Sequence, residues 1–383
     1  MSAPAPIAFV DVAAQQAPLR GRIEQAIARV LDEGAFIMGP EVKMLEAELG
    51  AFCGAKHVVS CGNGTDALLL AMMALGVGRG DAVFVPAFTF AATAEVAPLI
   101  GAVPVFVDSD EDTFNMDADS LKRAIIEARS RGLKPRVAIP VDLFGLPADM
   151  RAIGPIAAAE GMDVICDSAQ SFGAVIGDQM TGTFGRITTT SFFPAKPLGC
   201  YGDGGAMFTD DPAIASLLDS LRVHGKGGDK YDNVRIGANS RLDTLQAAIL
   251  LVKLSVYADE IKARERAAKR YSTHLSDLVD TPVTPDGFNS VWAQYTIKLK
   301  STEERDAVQA SMSAAGVPTA VYYPRPLHLQ SVYRDFPADP AGLPVAVNLS
   351  SRVVSLPMHA YLDEPTQDRI IEALDAAITS ARG

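Results

Sequence analysis

The sequence has few cysteines, and their spacing is not that of metal ligands. Its 383 residues include four cysteines, Cys53, Cys61, Cys166 and Cys200. No two of them form a Cys-x-x-Cys pair, so the sequence indicates neither a zinc site nor a disulfide framework. We expect all four to be small, buried, apolar residues.

Basic residues and long apolar runs are also scarce. The 34 lysines and arginines are outnumbered by 46 acidic residues, which gives a net charge of -12. A nucleic-acid-binding protein needs a basic surface that displaces phosphate counterions, so this class is disfavoured. No apolar run is long enough to span a bilayer, and the first residues lack the pattern of a secretory signal. We therefore expect a cytoplasmic protein that binds neither membranes nor nucleic acid.

What the sequence does contain is an alternation of short β-rich runs and helical patterns between residues 57 and 210. Hydrophobic residues make up 48% of the chain, enough for a large core, and the length favours two domains. The predicted strands are 81–86, 103–108, 136–141, 163–167, 187–192 and 205–209. The predicted helices are 65–75, 91–100, 118–130, 148–160 and 212–223. This alternation predicts an α/β fold whose largely parallel sheet is covered by helices on both faces.

The second half of the chain has a different pattern. A long helical stretch at 241–278 is predicted to link two domains. Beyond it, strands at 293–300 and 319–323 flank a helix at 303–315, and a helix at 364–380 closes the chain. We predict a large domain with an N-terminal arm at 1–250 and a small α+β domain at 251–383.

One lysine and one aspartate suggest the chemistry. Lys196 lies among apolar, proline and glycine residues, where desolvation lowers the pKa of an amine and frees it to form a Schiff base. Asp167 and Gln170 follow a predicted strand, at the edge where α/β sheets bind ligands. An aspartate there can keep the pyridine nitrogen of pyridoxal phosphate (PLP) protonated, which makes the ring an electron sink. The alternatives are a solvated lysine and a helix-capping aspartate.

Other segments suggest how a phosphorylated ring could bind. The turn at 62–65 opens a helix, so it either binds a phosphate or is only a capped turn with Asn63 or Thr65 as the cap. The glycines at 202–205 precede a strand and predict a tight turn, not a dinucleotide site. An aromatic residue in 86–94 either stacks on a planar ring or packs the core. An anionic ligand would also need cations nearby, and one predicted loop contains several. They are Arg222, His224, Lys226, Lys230, Arg235 and Arg241.

The segments 36–41, 62–68, 164–170, 191–205, 239–248 and 355–359, in this order, resemble the DegT/DnrJ/StrS sugar aminotransferases. The resemblance extends from about residue 9 to residue 374. It implies the aspartate aminotransferase-like fold of fold type I PLP enzymes, with a large domain and a small C-terminal domain. It also implies a homodimer with shared active sites.

The resemblance implies a role for individual residues. Lys196 would form the Schiff base and move a proton, and Asp167 would pair with the ring nitrogen. Gln170 would contact the phenolic oxygen, while Phe90 would stack on the ring. The residues implied for the phosphate are Gly64, Thr65 and Ser191, with Asn239 contributed by the neighbouring subunit.

Within the family, segments 191–205 and 239–251 are most similar to enzymes that aminate C3 of UDP-linked 2-acetamido-3-keto sugars. This implies L-glutamate as amino donor, a 3-keto-glucuronate acceptor and a role in bacterial O-antigen or lipopolysaccharide biosynthesis. The residues that would contact the sugar nucleotide are Arg241, Tyr322, Tyr323 and His328, although the last three could instead pack the small domain.

Two positions depart from the resemblance. Tyr322 and Asp142 stand where relatives tend to carry histidine, so a neutral 3-keto-N-acetylglucosamine acceptor stays open. A 4-aminotransferase acting on a 4-keto-6-deoxy sugar and a non-catalytic regulatory protein also stay open. A sugar dehydratase of the same fold would carry histidine in place of Lys196, so the lysine disfavours that alternative.

Overall fold

The chain folds around one large sheet with helices on both faces. The computed structural model describes residues 6–229 and 231–383. The α-helices of this part are α1 (Val12–Glu33), α2 (Pro40–Cys53), α3 (Gly64–Ala74), α4 (Ala92–Leu99), α5 (Ala118–Ser130), α6 (Met150–Ala159), α7 (Pro212–Leu221), α8 (Thr244–Leu275), α9 (Thr302–Ala314), α10 (Pro344–Arg352) and α11 (Glu364–Arg382). Short 3₁₀ helices cover Leu143–Gly145 and Leu327–Leu329.

The strands of the described residues are β1 (His57–Cys61), β2 (Asp81–Pro86), β3 (Val103–Val107), β4 (Lys134–Ala138), β5 (Asp163–Asp167), β6 (Val175–Ile176), β7 (Gln179–Met180), β8 (Ile187–Ser191), β9 (Gly205–Thr209), β10 (Phe288–Asn289), β11 (Tyr295–Lys298) and β12 (Val353–Leu356). The large sheet has the order β1-β9-β8-β5-β4-β2-β3. Within it, β9 pairs antiparallel with β1 and β8, and the remaining pairs are parallel. The predicted α/β fold class is confirmed, and β1 is a strand that the sequence analysis did not predict.

The order of strands explains where a site can form. Helices α3, α4 and α7 pack on one face of the sheet, and α5 and α6 pack on the other. Strands covered on both faces carry apolar side chains along their whole length, so polar groups collect where the strands end. Because parallel strands end at the same edge, loops after β1, β2, β5 and β8 meet there.

The C-terminal part packs around a second core. There β11 and β12 form a two-stranded antiparallel sheet that α8, α9 and α11 cover. The predicted strand at 319–323 is wrong, because only Ala320 pairs with this sheet, through Ser355. Pro318 and Pro324 flank the segment and lack the N–H groups that a ladder requires. The backbone is instead irregular at Tyr322 and Tyr323.

Two observations bear on the predicted domains. Helix α8 runs across the boundary predicted at residue 250, and Ala346 and Leu349 of α10 pack into the core of the large sheet. Ile7, near the N-terminus, belongs to the core around β11 and β12. The division into 1–250 and 251–383 stays a prediction.

The four cysteines are buried and carry free thiols, as predicted. Among the described residues, no helix combines the length and the apolar character that crossing a bilayer requires.

Candidate active site

A cavity of about 520 Å³ opens at the edge where the parallel strands end. The predicted site residues that line it are Gly64, Thr65, Phe90, Asp167, Gln170, Ser191, Lys196, Tyr322 and Tyr323. They come from the ends of β5 and β8, from the first turn of α3, from the loops after β2, β5 and β8, and from the segment that follows α9. The structure therefore brings together side chains that are far apart in the sequence.

Lys196 lies on the loop that follows β8. Its backbone N–H donates to the carbonyl of Phe193 at 2.8 Å, so the loop turns tightly just before the lysine. The surrounding protein desolvates the amine and lowers its pKa, and the carboxylate of Asp167 opposes this shift. The structure thus supplies the condition under which a lysine is a nucleophile, since only the neutral amine has a free electron pair.

Asp167 is the last residue of β5 and is buried, with 5% of its surface exposed. One carboxylate oxygen accepts a hydrogen bond from the Thr93 hydroxyl at 2.9 Å, and the other accepts from the backbone N–H of Ala169 at 3.2 Å. Burial raises the pKa of this carboxyl, whereas Thr93, Ala169 and the charge of Lys196 lower it. A cationic nitrogen placed against Asp167 would further favour the ionised carboxylate.

Gln170 is held in one orientation. Its side-chain carbonyl accepts a hydrogen bond from the backbone N–H of Phe144 at 2.6 Å. The amide nitrogen is 3.4 Å from the Tyr323 hydroxyl. Because the carbonyl is occupied by the backbone, the side chain offers its N–H groups to the cavity, and these can donate to an anionic oxygen.

Asp142 donates its backbone N–H to the carbonyl of Asp167 at 3.0 Å and fixes the turn that carries Gln170. One of its oxygens accepts hydrogen bonds from the hydroxyls of Ser168 and Ser171, each at 2.6 Å. The other accepts from the backbone N–H of Ala148 at 2.8 Å. Burial raises the pKa of Asp142 to about 6, and these hydrogen bonds oppose the shift. This aspartate does not line the cavity, so its part in the site is to support the turn.

The end of the cavity that suits a phosphate is formed by the N-terminus of α3. The Asn63 side chain caps this helix by accepting from the Asp66 N–H at 2.8 Å. The amides of Gly64 and Thr65 have no partner within the helix, and they and the helix dipole favour an anion. A Cβ added to Gly64 would lie 2.7 Å from the Ser191 Cβ, so only glycine allows α3 to approach β8 this closely. The capped turn and the anion site predicted for 62–65 are therefore compatible.

The two candidate aromatic residues differ in position. Phe88 is fully buried in the core, whereas Phe90 lines the cavity with 58% of its surface exposed. The Phe90 ring lies 6.4 Å from that of Tyr323. An exposed aromatic ring at a cavity wall can stack on a flat ligand.

Three predicted residues are not among those that line the cavity of this chain. Asn239 is exposed, and Arg241 is partly exposed. Between them, Ser240 ties the loop to the α3 turn, accepting from the Gly62 N–H at 3.0 Å and donating to Asp66 at 2.7 Å. His328 packs against Phe106 instead, with ring centroids 6.4 Å apart. Burial there lowers the pKa of the imidazole.

The predicted group of cations is not a single ligand site. Arg222 is buried and forms ion pairs with Glu46 and Asp219, each at 2.6 Å. Its guanidinium also donates to the carbonyl of Ser60 at 2.7 Å. It is therefore a structural residue whose charge is already compensated. Lys230 lies outside the described residues.

Several cavity residues were missed by the sequence analysis. Asn63, Thr89, Asp203 and Gln294 line the cavity, and Thr93 binds Asp167 from the first turn of α4. Thr93 lies three residues after Phe90, where the chain leads from β2 into α4, but no sequence pattern connects it with Asp167.

The residues of the cavity fit PLP. This cofactor is a flat aromatic aldehyde with a ring nitrogen, a phenolic oxygen and a phosphate. The structure offers a buried carboxylate, an oriented amide N–H, an exposed aromatic ring and a helix N-terminus around a lysine of lowered pKa. Each chemical group of the cofactor thus has a matching group in one cavity.

The sequence model of the DegT/DnrJ/EryC1/StrS aminotransferase family matches residues 18–375. A Pseudomonas aeruginosa protein named UDP-2-acetamido-2-deoxy-3-oxo-D-glucuronate aminotransferase is 46% identical, covering 98% of this chain and 100% of its own. An Acidithiobacillus ferrooxidans protein named UDP-N-acetyl-3-dehydro-alpha-D-glucosamine 3-aminotransferase is 42% identical, covering 95% of this chain and 96% of its own.

Solved structures agree with these sequence matches. A DegT/DnrJ/EryC1/StrS aminotransferase from Brucella abortus superimposes with a TM-score of 0.95 and 51% identity, covering 97% of this chain and 99% of that one. NtdA from Bacillus subtilis, solved with bound pyridoxamine phosphate, superimposes with a TM-score of 0.89 and 30% identity, covering 98% and 86%.

Proposed function

Because the chain belongs to the DegT/DnrJ/EryC1/StrS family of PLP-dependent aminotransferases, we propose that it transfers an amino group from L-glutamate to C3 of a UDP-linked 2-acetamido-3-keto sugar. The acceptor we propose is the 3-keto-glucuronate, for the synthesis of bacterial surface polysaccharide or lipopolysaccharide. The observation that carries the proposal is the placement of Lys196 and Asp167 in one cavity.

The choice of sugar is supported by two relatives. The Pseudomonas and Acidithiobacillus proteins each match over nearly the whole length of both chains, and both names describe a UDP-linked sugar with a 3-oxo or 3-dehydro group. Their sugars differ at C6, where one is an acid and the other is neutral. The substrate residues we propose are Arg241, Tyr322 and Tyr323. A bidentate arginine can pair with a carboxylate, so Arg241 would contact the acid.

We propose that the cavity residues divide the work of the reaction. PLP supplies, when bound, an aldehyde that accepts the amino group and a ring that withdraws electrons. The neutral amine of Lys196 takes the proton from Cα of the amino donor and delivers it to C4′ of the cofactor. Asp167, held by Thr93 and the Ala169 N–H, keeps its charge against the ring nitrogen.

Other residues bind and orient. Gln170 donates to the phenolic oxygen, because the Phe144 N–H already occupies its carbonyl. Phe90 stacks on the ring and limits its tilt. The amides of Gly64 and Thr65 and the Ser191 hydroxyl bind the phosphate. A lysine held this close to the reacting carbon acts with a high effective concentration.

We propose that the protein is a homodimer and that Asn239 of the partner subunit reaches the phosphate. The support is that Asn239 is exposed and does not line the cavity of its own chain. Large apolar side chains near the N-terminus are also exposed, including Phe36 at 46%, Ile37 at 49% and Met44 at 56%. A monomer rarely exposes several large apolar side chains in one short segment, and a second copy of the chain would cover them.

The function is tested in two half-reactions. L-Glutamate alone should convert the yellow holoenzyme to its amino form, with loss of the visible absorbance. Adding the UDP-linked 3-keto-glucuronate should restore the absorbance, and NMR of the product should show nitrogen at C3. The neutral 3-keto sugar and a 4-keto-6-deoxy nucleotide sugar are the comparison substrates. Nitrogen at C4, or no response to any keto sugar, would contradict the proposal.

The shared site is tested by mixing two inactive dimers. Lys196→Ala and Asn239→Ala protein would be unfolded together and refolded as a mixture. If Asn239 acts across the interface, mixed dimers contain one site with both residues intact, and activity recovers. If Asn239 acts within its own chain, every site in a mixed dimer lacks one residue and no activity returns.

A further inference from the structure

Helix α8 carries a lysine that is entirely buried and does not line the cavity. Lys253 has 0% of its surface exposed, between apolar neighbours on a long helix. Lysine is among the residues least often buried, because its charge loses the solvation of water. Such a residue needs a structural reason.

The contacts of Lys253 lead to the loop that carries Lys196. Its Nζ donates to the carbonyl of Gly199 at 2.5 Å and lies 4.6 Å from the centroid of the Tyr201 ring. In the described part of the chain, no carboxylate lies within ion-pair distance of this amine. Burial lowers its pKa to about 8, with the charge of Glu260 opposing. The strongest contacts of this lysine are thus with one loop.

That loop, residues 193–204, has little freedom between its attachments. Gly199 follows Lys196 by three residues, and a Cβ added to it would lie 2.5 Å from the carbonyl oxygen of Pro194. The N–H of Cys200 also donates to the carbonyl of Phe192 at 2.7 Å. Because Gly199 is in contact with Pro194, a shift of Gly199 would be transmitted to both sides of Lys196.

A second side chain of α8 binds the same loop. The Gln246 side-chain carbonyl accepts from the backbone N–H of Tyr201 at 2.8 Å. Gln246 and Lys253 are seven residues apart, which is about two helical turns, so they lie on the same face of α8. Helix α8 therefore binds the loop at two points. The amine of Lys253 donates to Gly199, and the side-chain carbonyl of Gln246 accepts from Tyr201.

We propose that Gln246 and Lys253 are positioning residues, which hold loop 193–204 so that the amine of Lys196 stays within reach of the cofactor. The inference rests on the proposed role of Lys196. A charged donor suits the task, because its hydrogen bond to a buried carbonyl is stronger than a neutral one. An apolar residue at position 253 would leave the Gly199 carbonyl without a donor.

The test replaces Lys253 with an unbranched apolar residue. Lys253→Met should lower kcat about tenfold and change the KM for the amino donor much less, because binding groups stay while the lysine loses its position. In the protein without PLP, amides of residues 193–204 should exchange with deuterium faster than in the wild type. The exchange readout needs no cofactor, so it stands even if Lys196 proves not to bind PLP.

The matched control is a second buried lysine. Lys298 has 7% of its surface exposed, donates to the carbonyl of Glu111 at 2.9 Å and lies 5.9 Å from the ring centroid of Phe114, and unlike Lys253 it also pairs with a carboxylate, that of Asp112 at 3.3 Å. Lys298→Met makes the same side-chain change on β11, where the contacts of the lysine are with residues 111–114 and not with loop 193–204. It should leave both kcat and the exchange of that loop at wild-type values.

Gln246 gives a second pair of variants. Gln246→Leu removes the acceptor for the Tyr201 N–H, so it should lower kcat and speed deuterium exchange in the loop. Gln246→Glu keeps an acceptor oxygen, so its kcat and its loop exchange should be close to the wild-type values. If Lys253→Met does not fold, the two Gln246 variants test the proposal in its place. Wild-type kcat and loop exchange in Lys253→Met and Gln246→Leu would overturn the proposal, as would equal effects in Lys298→Met.

Discussion

The floor of the cavity and its rim are built differently. The floor, which consists of Asp167, Gln170 and Lys196, lies where buried strands end. Hydrogen bonds within the chain fix the side chains of Asp167 and Gln170. The rim, which we define as the proposed sugar residues Arg241 and Tyr322, lies on irregular backbone and is partly exposed. The groups proposed for the ring of the cofactor thus lie within one chain, whereas Arg241, proposed for the sugar, does not line the cavity of its own chain.

This difference separates chemistry from specificity. Residues at the ends of strands inherit the rigidity of the sheet, which suits groups that must hold a cofactor in a fixed position. Residues on the rim can change without disturbing the sheet, which suits the choice of one sugar among many. We expect changes on the floor to affect every substrate and changes on the rim to affect only some.

The largest effect is expected from Lys196→Ala. This change should lower turnover at least about 10⁴-fold with every substrate, because it removes the residue that we propose as both Schiff-base nucleophile and proton carrier. PLP should still bind through the phosphate and ring contacts, which equilibrium dialysis can measure. Turnover at the wild-type rate would show that Lys196 is not on the floor of an active site.

A pair of arginines sharpens the comparison, because they are close in sequence but differ in role. Arg222→Met should lower the free energy of unfolding by about 3–5 kcal/mol, since it leaves Glu46 without its buried partner. Arg241→Met should change that free energy by less than about 0.5 kcal/mol and raise the KM for the sugar about tenfold. Denaturant unfolding and steady-state kinetics check both. Equal losses of stability would contradict the division.

Asp167 and Thr93 test how the floor is held. Asp167→Asn should lower kcat about 10²- to 10³-fold, because no charge then opposes the ring nitrogen. Thr93→Val should lower kcat only about tenfold, because it removes a single hydrogen bond to Asp167.

The pH profile gives Thr93→Val a second readout. The hydroxyl of Thr93 lowers the pKa of Asp167, so its removal raises that pKa. In the role that we propose for Asp167, activity requires the ionised carboxylate, so the loss of kcat on the acid side should begin at a higher pH than in the wild type. If the fall in kcat at low pH begins at the same pH in both proteins, the pKa of Asp167 does not govern the rate.

The smallest effect is expected on the rim. Tyr322→His should change the ratio of kcat/KM between the 3-keto-glucuronate and the neutral 3-keto sugar by about three- to tenfold, with little change in kcat. The Tyr322 ring packs against Phe9 at 6.2 Å, so Phe9→Leu is a control for altered packing. An unchanged ratio would show that Tyr322 does not select the sugar.

The sequence predicted the floor better than the supports beneath it. Asp167, Gln170 and Lys196 could be located because strand ends in an α/β sheet meet at one edge. Thr93 is 74 residues from Asp167 in the sequence, and no local pattern indicates that they form a hydrogen bond. Lys253 is the single charge within an apolar helical run, which is an unusual pattern, but the pattern does not indicate the loop that the lysine binds. Spacing also could not separate Phe88 from Phe90, because the turn between β2 and α4 decides which ring faces the cavity.

The central claim is that one particular amine binds PLP, and the structure offers a second buried lysine nearby as a rival. Reduction of the holoenzyme with borohydride would fix the cofactor to its lysine, and mass spectrometry of the peptides would identify that residue. The account predicts a pyridoxyl group on Lys196 and none on Lys253. A modified Lys253, or any other lysine modified in place of Lys196, would contradict it.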